Sequence, residues 1–320
     1  MARVRQEAVA KESRRAVYAA IVGNLLIAAI KFSASAITGS SAMLSEGIHS
    51  LVDTGNGLMM LLGIRNSRMP ADDEHPFGHG RELYFWSLIV AVSIFAVGGG
   101  LSIYQGIGRL RQPVAIENAG WNYAVLGMSF VFEGISWYYG WRAFSKTRRG
   151  KSVIETMHIS KDPTSFTVVL EDSTALIGLL IAFFGIFLGS TFSLVYFDGI
   201  ASILIGVLLS IVALFLGFES KGLLIGEAVD SETLRGIREI AESQPDVEKA
   251  LKILTIHIGP NDVALTLELQ FAQDISAIDL RKAVRRIETD VKEKYPDITR
   301  VYYEAESLSE KELKSQNRGA

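Results

Sequence analysis

Three ionisable side chains stand within the otherwise apolar stretch Leu44-Ser45-Glu46-Gly47-Ile48-His49-Ser50-Leu51-Val52-Asp53. Glu46, His49 and Asp53 are spaced three and four residues apart, which places them on one face of a helix. An ionisable group in hydrocarbon costs roughly 2.5 to 3.5 kcal/mol even on a mild insertion scale, so a cluster of them is expected to line a wet or ion-filled path. The stretch therefore predicts a membrane-spanning helix whose imidazole and carboxylate can reach one divalent cation.

The composition agrees with a membrane protein that carries a polar appendage. The 320 residues are 49% hydrophobic, and the mean hydropathy is +0.26. The polar start, Ala2 to Ser13, lacks a signal-peptide pattern, and we expect it to stay in the cytoplasm. The net charge of −3, without basic blocks interleaved with aromatic residues, argues against a nucleic-acid partner.

The chain contains no cysteine, which excludes disulfides, thiolate nucleophiles and sulfur-rich metal sites. The remaining ligands are histidine and carboxylate, which favour Zn(II), Mn(II) or Fe(II) over Cu(I). The sequence also lacks the His-Glu-x-x-His, Gly-x-Ser-x-Gly and Walker A motifs. These absences argue against an enzyme and against transport driven by ATP on this chain.

Six apolar segments have about the 20 residues that a helix needs to cross a membrane. They lie at 16–38, 42–64, 83–107, 121–142, 164–188 and 193–218. Basic residues cluster before the first segment, after the second and after the fourth, so the positive-inside rule places both termini in the cytoplasm. Arg109 and Arg111, after the third segment, oppose this topology but are outnumbered.

The sequence after Lys221 predicts a small cytoplasmic α+β domain with the element order α-β-β-α-β. An amphipathic helix begins near Ser231, a plausible N-cap, and a second covers 276–294. Strands are predicted at 247–258, 263–271 and 298–304, the first two joined by a turn. The predicted domains are an N-terminal segment 1–15, a six-helix membrane domain 16–221, the cytoplasmic domain 222–307 and a disordered tail 308–320.

The polar stripe of the second segment continues to Asn56, and Glu46 and Asn56 are candidates for an ion pathway. Glu133, in the fourth segment, is a third candidate, and Lys31, in the first, is expected to snorkel or to pair with an acid. The alternative is that these groups only hydrogen-bond neighbouring helices.

The fifth segment contributes Glu171 and Asp172 near its start. Neighbouring residues on a helix point about 100° apart, so only one is expected to face the site of His49 and Asp53. The other would pair with a cation or line the pathway. Alternatively, the two are an interfacial acidic pair at a helix start.

Two further groups of residues are candidate metal sites. The loop after the second segment places Asp72, His75 and His79 close together in sequence, although a solvated acidic loop is the alternative. In the cytoplasmic domain His257, Glu304 and Glu306 lie near predicted strand ends, but a lone histidine is usually structural.

Together these features resemble the cation diffusion facilitator family of proton-coupled divalent-metal exporters, over nearly the whole chain. The matching residues are Asn24, Lys31, the run Gly39–Leu44, the pair His49-x-x-x-Asp53 and the run Pro70–Gly80. The resemblance implies six membrane helices, a cytoplasmic α-β domain that joins two copies in a homodimer, and a four-ligand tetrahedral transport site.

The resemblance assigns His49, Asp53 and Asp172 to that transport site, in a zinc-preferring pattern. The family's fourth ligand would be a histidine at position 168, where this chain has Val168. Glu171 or water would then be the fourth ligand, or the metal preference has shifted. The acidic pair Glu171–Asp172 is similar to that of zinc-transporter-9-like proteins.

The resemblance also implies a loop metal site at Asp72, His75 and His79, and a contact of helices three and six locked by Arg81 and Glu227. The expected function is export of Zn(II), with protons as counter-ion, from a bacterial cytoplasm across the inner membrane. Export of Mn(II) or Fe(II), and a non-transporting membrane sensor or scaffold, are the alternatives.

Overall fold

The computed structural model describes residues 21–114, 119–145, 152–159, 161–192, 194–272 and 275–305. They form two compact units. The helical unit contains 21–66 and the described residues of 82–221, and the sheet unit contains 67–81 and the described residues from 222 onward. The predicted segments 1–15 and 308–320, and the candidate ligand Glu306, lie outside the described residues.

The helical unit is built from long helices that correspond to the six predicted segments. In chain order the helices of this unit are α1 (Ile21–Thr38 in its described part), α2 (Ser41–Asn66), α3 (Glu82–Arg111), α4 (Ala119–Ser145), α5 (Val153–Ile159), α6 (Pro163–Thr191) and α7 (Tyr196–Ile225). By length and composition α1, α3, α6 and α7 can cross a membrane. Helices α2 and α4, with 26 and 27 residues, are also long enough. The short helix α5 is not foreseen by the apolar pattern.

Helix α7 shows the apolar exterior expected in lipid. Ile205 and Leu209 are buried, whereas Ile211, Leu214 and Phe218 are exposed. A helix that is apolar on every face is typical of a membrane span, since hydrocarbon replaces water around it.

Helices α3 and α7 approach until their backbones touch. A Cβ on Gly106 would stand 2.7 Å from the carbonyl oxygen of Gly199, and one on Gly206 would stand 2.7 Å from that of Gly99. The glycines are seven residues apart on both helices, so they recur on one face. A π-helical turn, Ile94–Gly99, interrupts α3 beside this contact.

The sheet unit has the predicted α-β-β-α-β order. Its elements are α8 (Ser231–Glu242), β1 (Val247–Gly259), β2 (Asp262–Phe271), α9 (Ala277–Lys294) and β3 (Ile298–Ala305). Strand β2 pairs antiparallel with β1 and parallel with β3. The predicted N-cap Ser231 is wrong: the carboxylate of Asp230 accepts the first free backbone N–H groups of α8, so Asp230 is the cap.

The two faces of the sheet differ. Leu265, Leu267 and Leu269 of β2 are fully buried in the core that α8 and α9 help to form. On the opposite face Leu254 and Tyr302 flank Thr266 in register and are 51% and 46% exposed. The sheet unit therefore presents one open face, on which Leu254 of β1 and Tyr302 of β3 form an exposed apolar row on either side of Thr266.

Candidate metal centres

The first half of α2 holds a buried imidazole that has no hydrogen-bond partner among the described residues. His49 is buried, and within the described part of the chain both of its ring nitrogens lack a hydrogen-bond partner. Its Nδ1 lies 3.4 Å from Oδ1 of Asp53, one turn further along the helix. Buried polar groups are normally satisfied, so unsatisfied ones mark a place for an unseen partner. Imidazole nitrogen and carboxylate oxygen are good ligands for Zn(II).

The two acids of α6 turn toward different helices. Asn56 of α2 donates through Nδ2 to Oε1 of Glu171 at 2.8 Å. Ser136 of α4 donates to Oδ2 of Asp172 at 2.8 Å. Glu171 is thus the acid that contacts the polar stripe of α2. It does so at Asn56, three residues after Asp53. Both carboxylates keep free lone pairs after these bonds.

Position 168 faces α4 together with Asp172. A Cβ on Gly140 would lie 3.6 Å from Cγ1 of Val168 and 3.9 Å from Oδ2 of Asp172. Val168 therefore puts a methyl group on the side of α6 where the family resemblance expects an imidazole. Glu171 is the nearest carboxylate in sequence that can make up the missing ligand.

A fully buried ion pair lies one turn before His49. The ammonium of Lys31 donates to Oε2 of Glu46 at 3.0 Å and to Oγ of Ser50 at 2.8 Å. Both Lys31 and Glu46 are 0% exposed. Of the two outcomes expected for Lys31, pairing with an acid is therefore the correct one.

The pathway candidate Glu133 is buried on α4, one turn before Ser136.

The loop between α2 and α3 gathers its three predicted ligands. One ligand atom from each of Asp72, His75 and His79 lies within 4.8 Å of the others. The imidazole rings of the two histidines are 4.3 Å apart between centroids. His79 Nδ1 lies 3.2 Å from the carbonyl oxygen of Pro70. A carbonyl only accepts, so Nδ1 carries the proton of this hydrogen bond, and the other ring nitrogen, Nε2, lies 3.5 Å from Oδ2 of Asp72.

The loop also fixes the charge of Asp72. The backbone N–H of His75 donates to Oδ1 of Asp72 at 2.6 Å. This hydrogen bond, with the His75 side chain as a smaller cause, holds the pKa of the Asp72 carboxyl below its ordinary value. The bond is lost only when pH falls through that lowered pKa, so Asp72 is an ionised carboxylate across the neutral range.

The loop belongs to the sheet unit and is held against its strands. A Cβ on Gly80 would stand 2.5 Å from the carbonyl oxygen of Ile258, at the end of β1. The guanidinium carbon of Arg300 in β3 lies 5.5 Å from the ring centre of Phe77. Glycine is required at position 80 because the two backbones meet there.

The candidate ligands on the strands are separated. His257 pairs in register with Val263, whose side chain belongs to the buried face. Glu304 pairs with Glu268 on the open face. Glu268 follows Val263 by five residues, about 16 Å along a strand. His257 and Glu304 are therefore not brought together.

The predicted interlock lies at the start of the sheet unit. Arg81 Nη2 is 3.4 Å from the point where a Cβ of Gly226 would stand, and Glu227 is the next residue. Gly226 has a φ of 112°, a conformation that favours glycine. The arrangement places Arg81 beside the segment that contains Glu227, and their pairing stays a prediction.

The sequence reading missed a buried acid at the start of α7. Asp198 accepts hydrogen bonds from the hydroxyls of Ser40 and Ser41 at 2.5 and 2.7 Å, and from the backbone N–H groups of Ser41 and Ala42 at 2.6 and 3.2 Å. Arg109 Nε lies 3.4 Å from the same carboxylate. An acid inside an apolar segment was the available signal. Arg109 is one of the two arginines that opposed the predicted topology. Its ion pair with Asp198 balances its charge at the end of α3.

Two family models match consecutive parts of the chain. The cation efflux transmembrane domain matches residues 17–225, and the cytoplasmic domain of cation efflux proteins matches 229–307. The chain belongs to the cation efflux family. The predicted resemblance to the cation diffusion facilitators is confirmed, together with the helical membrane domain and the C-terminal α-β domain that it implied.

Relatives within the cation efflux family come from several kingdoms. "Proton-coupled zinc antiporter SLC30A9, mitochondrial" of Mus musculus is 33% identical over 259 residues, which cover 80% of this chain and 46% of the relative. "Metal tolerance protein C4" of Arabidopsis thaliana is 30% identical over 263 residues, 82% of this chain and 58% of the relative. The chain thus spans about half the length of these relatives. "Cation-efflux pump FieF" of Citrobacter koseri is 27% identical over 89% of each chain.

Proposed function

We propose that the chain exports divalent cations, Zn(II) foremost, in exchange for protons. The observation that carries this proposal is the buried imidazole of His49, which has no hydrogen-bond partner in the described structure and faces Asp53. The family membership supports it, and so does the similarity to the murine relative that is named a proton-coupled zinc antiporter. Asp53 on α2, with Glu171 and Asp172 on α6, would complete the ligand set.

The exchange of metal for protons follows from the ligand chemistry. A metal ligand must be deprotonated, so a cation that arrives from the cytoplasm displaces protons from His49 and the carboxylates. Reprotonation from the other side then releases the cation. The helices would rock between inward-open and outward-open arrangements around the site. We place both termini in the cytoplasm, in a bacterial inner membrane.

We further propose a homodimer joined through the open face of the sheet. The cytoplasmic family domain that matches 229–307 supports this partner. The exposed row of Leu254 and Tyr302 supplies an apolar centre for the contact.

We also propose that the loop trio Asp72, His75 and His79 holds a second, more exposed metal ion.

The test is metal uptake into proteoliposomes under an imposed pH gradient. We expect gradient-dependent Zn(II) flux in the wild type and flux at background in Asp53→Asn and in His49→Ala. Asp73→Asn, which changes an exposed acid next to the loop trio, is the matched control and should transport normally. Unchanged flux in His49→Ala would contradict the proposed site.

The same assay separates the alternatives. A carboxylate-rich site suits Mn(II) and Fe(II), so a preference for these ions that Glu171→Gln abolishes would favour their export. A membrane sensor or scaffold predicts no flux of any cation. It also predicts that apolar replacements on α2 and α6 are tolerated.

A further inference from the structure

The pair Lys31–Glu46 stands apart from the proposed metal ligands, although it lies next to them. Glu46 precedes His49 by three residues, so the two side chains are neighbours on α2. Lys31 also contacts Ser50, the residue after His49. The hydrogen-bonded amine and carboxyl group of this pair are therefore buried beside the site that a cation must enter.

The second oxygen of Glu46 is left without a partner. Among the described residues no group donates a hydrogen bond to Oε1, which is buried. It lies against α6, where a Cβ on Gly178 would stand 2.6 Å away. The carboxylate thus has free lone pairs at the α2–α6 contact. Asn56 and Glu171 make the same contact about three turns later on α2 and about two turns earlier on α6.

We infer that Lys31 is a tethered counter-cation that keeps Glu46 from binding the transported metal and thereby lowers the affinity of the site. The inference rests on the proposed function and adds a residue pair that sets its affinity. While Lys31 holds Oε2, its ammonium offsets the charge of the carboxylate, so Glu46 adds no net attraction for a cation although Oε1 is free. A transport site must release its cargo, so withholding one carboxylate favours turnover over tight binding.

A purely structural pair predicts a different pattern. Removal of either partner of a buried ion pair leaves an uncompensated charge, whereas replacement of both is often tolerated. If Lys31 and Glu46 only joined α1 to α2, both single variants would distort the site and weaken binding. The counter-cation predicts that the two single variants shift the affinity in opposite directions.

The experiment is calorimetric titration of the full-length protein in detergent with Zn(II) and with Cd(II) at one fixed pH. The loop site is silenced by His75→Ala in every variant, and only binding that His49→Ala abolishes is counted. We expect Lys31→Met to tighten this binding about tenfold or more, because Glu46 joins the site. We expect Glu46→Gln to weaken it about tenfold or more, because Lys31 is left as an unpaired cation.

The double variant Lys31→Met/Glu46→Gln removes both charged groups. It leaves no uncompensated charge in the protein interior, so it can be measured even if a single variant fails to fold. Its dissociation constant should return to within about threefold of the wild type, because neither a released carboxylate nor an unpaired ammonium remains. Gly134→Ala on α4, where a Cβ meets nothing within 4 Å, is the control and should bind as wild type.

Shifts of the single variants in the same direction, or a double variant as impaired as the worse single variant, would overturn the counter-cation. Absence of His49-dependent binding in the wild type would instead refute the proposed transport site. The two failures are therefore distinguishable.

Discussion

At the scale of single residues, the carboxylate of Asp198 joins more partners than any other side chain discussed above. It ties the start of α2 to α7 through Ser40, Ser41 and Ala42 and neutralises Arg109. Asp198→Ala would leave the first N–H groups of α2 and the half-buried guanidinium of Arg109 without this acceptor. We expect a loss of about 3 to 5 kcal/mol in the free energy of unfolding, measured by denaturant titration in mixed micelles.

Ser202→Ala is the matched control for Asp198. The hydroxyl of Ser202 donates only to Oγ of Ser41, at 3.0 Å. Its removal should cost about 1 kcal/mol, the net value of one ordinary hydrogen bond. Equal effects of the two substitutions would show that the ionic network around Asp198 adds nothing.

The sequence singles out candidate ligands, but it does not show which side chains they hydrogen-bond. His49, Asp53, Glu171 and Asp172 stand out because a charged or imidazole group is costly inside an apolar segment. The bond from Asn56 to Glu171 joins residues 115 positions apart. A single sequence contains no signal for such a pairing, because the rotation of each helix about its axis is set by packing against its neighbours.

At the scale of helices, the glycine contact between α3 and α7 makes a sharp prediction. A methyl group at position 106 would meet the backbone of Gly199 and Ile203 at 2.7 and 2.9 Å. Gly106→Ala should therefore force the helices apart and lower the midpoint of thermal unfolding in detergent. We expect a loss of about 1 to 3 kcal/mol, the usual cost of overpacking.

Gly108→Ala tests the same substitution on the same helix. A Cβ at position 108 meets nothing within 4 Å. Alanine favours a helix over glycine by about 1 kcal/mol in water, so this variant should be neutral or slightly more stable. A loss of stability at position 108 as large as that at position 106 would refute the close contact as the cause.

Element boundaries followed from length and periodicity, whereas helix contacts did not. The predicted span 42–64 became Ser41–Asn66, and the predicted strand 263–271 became Asp262–Phe271. Apolar length and period-2 alternation are local properties, so the chain displays them directly. The glycines of α3 and α7 allow the two backbones to meet, and this role is visible only once the helices are packed against each other.

At the scale of the whole molecule, residues 67–81 lie between two membrane helices in sequence but belong to the sheet unit. Gly80 meets the end of β1, and Phe77 lies under Arg300 of β3. The candidate loop ligands thus belong to the sheet unit. Contacts between positions about 180 to 220 residues apart cannot be read from local patterns, which is why the sequence assigned this loop to the membrane domain.

The proposed dimer is tested at the open face of the sheet. Leu254, 51% exposed, lies in the apolar row with Tyr302 and would be central to the contact. Leu254→Lys should weaken dimerisation about 30-fold, since loss of a central apolar anchor typically costs about 2 kcal/mol. Sedimentation equilibrium of the full-length protein in density-matched detergent measures the dissociation constant.

Ile278→Lys is the matched control for Leu254→Lys, because Ile278 is 59% exposed on α9, and the two helices of the sheet unit cover the other face of the sheet. The control should remain dimeric, since the new lysine stands in water on the helical layer. If the dimers of both variants dissociate to the same extent, an added lysine weakens the dimer wherever it is placed. That result would contradict the open face as the dimer contact. If neither does, the two copies meet elsewhere, and the apolar row of Leu254 and Tyr302 has another role.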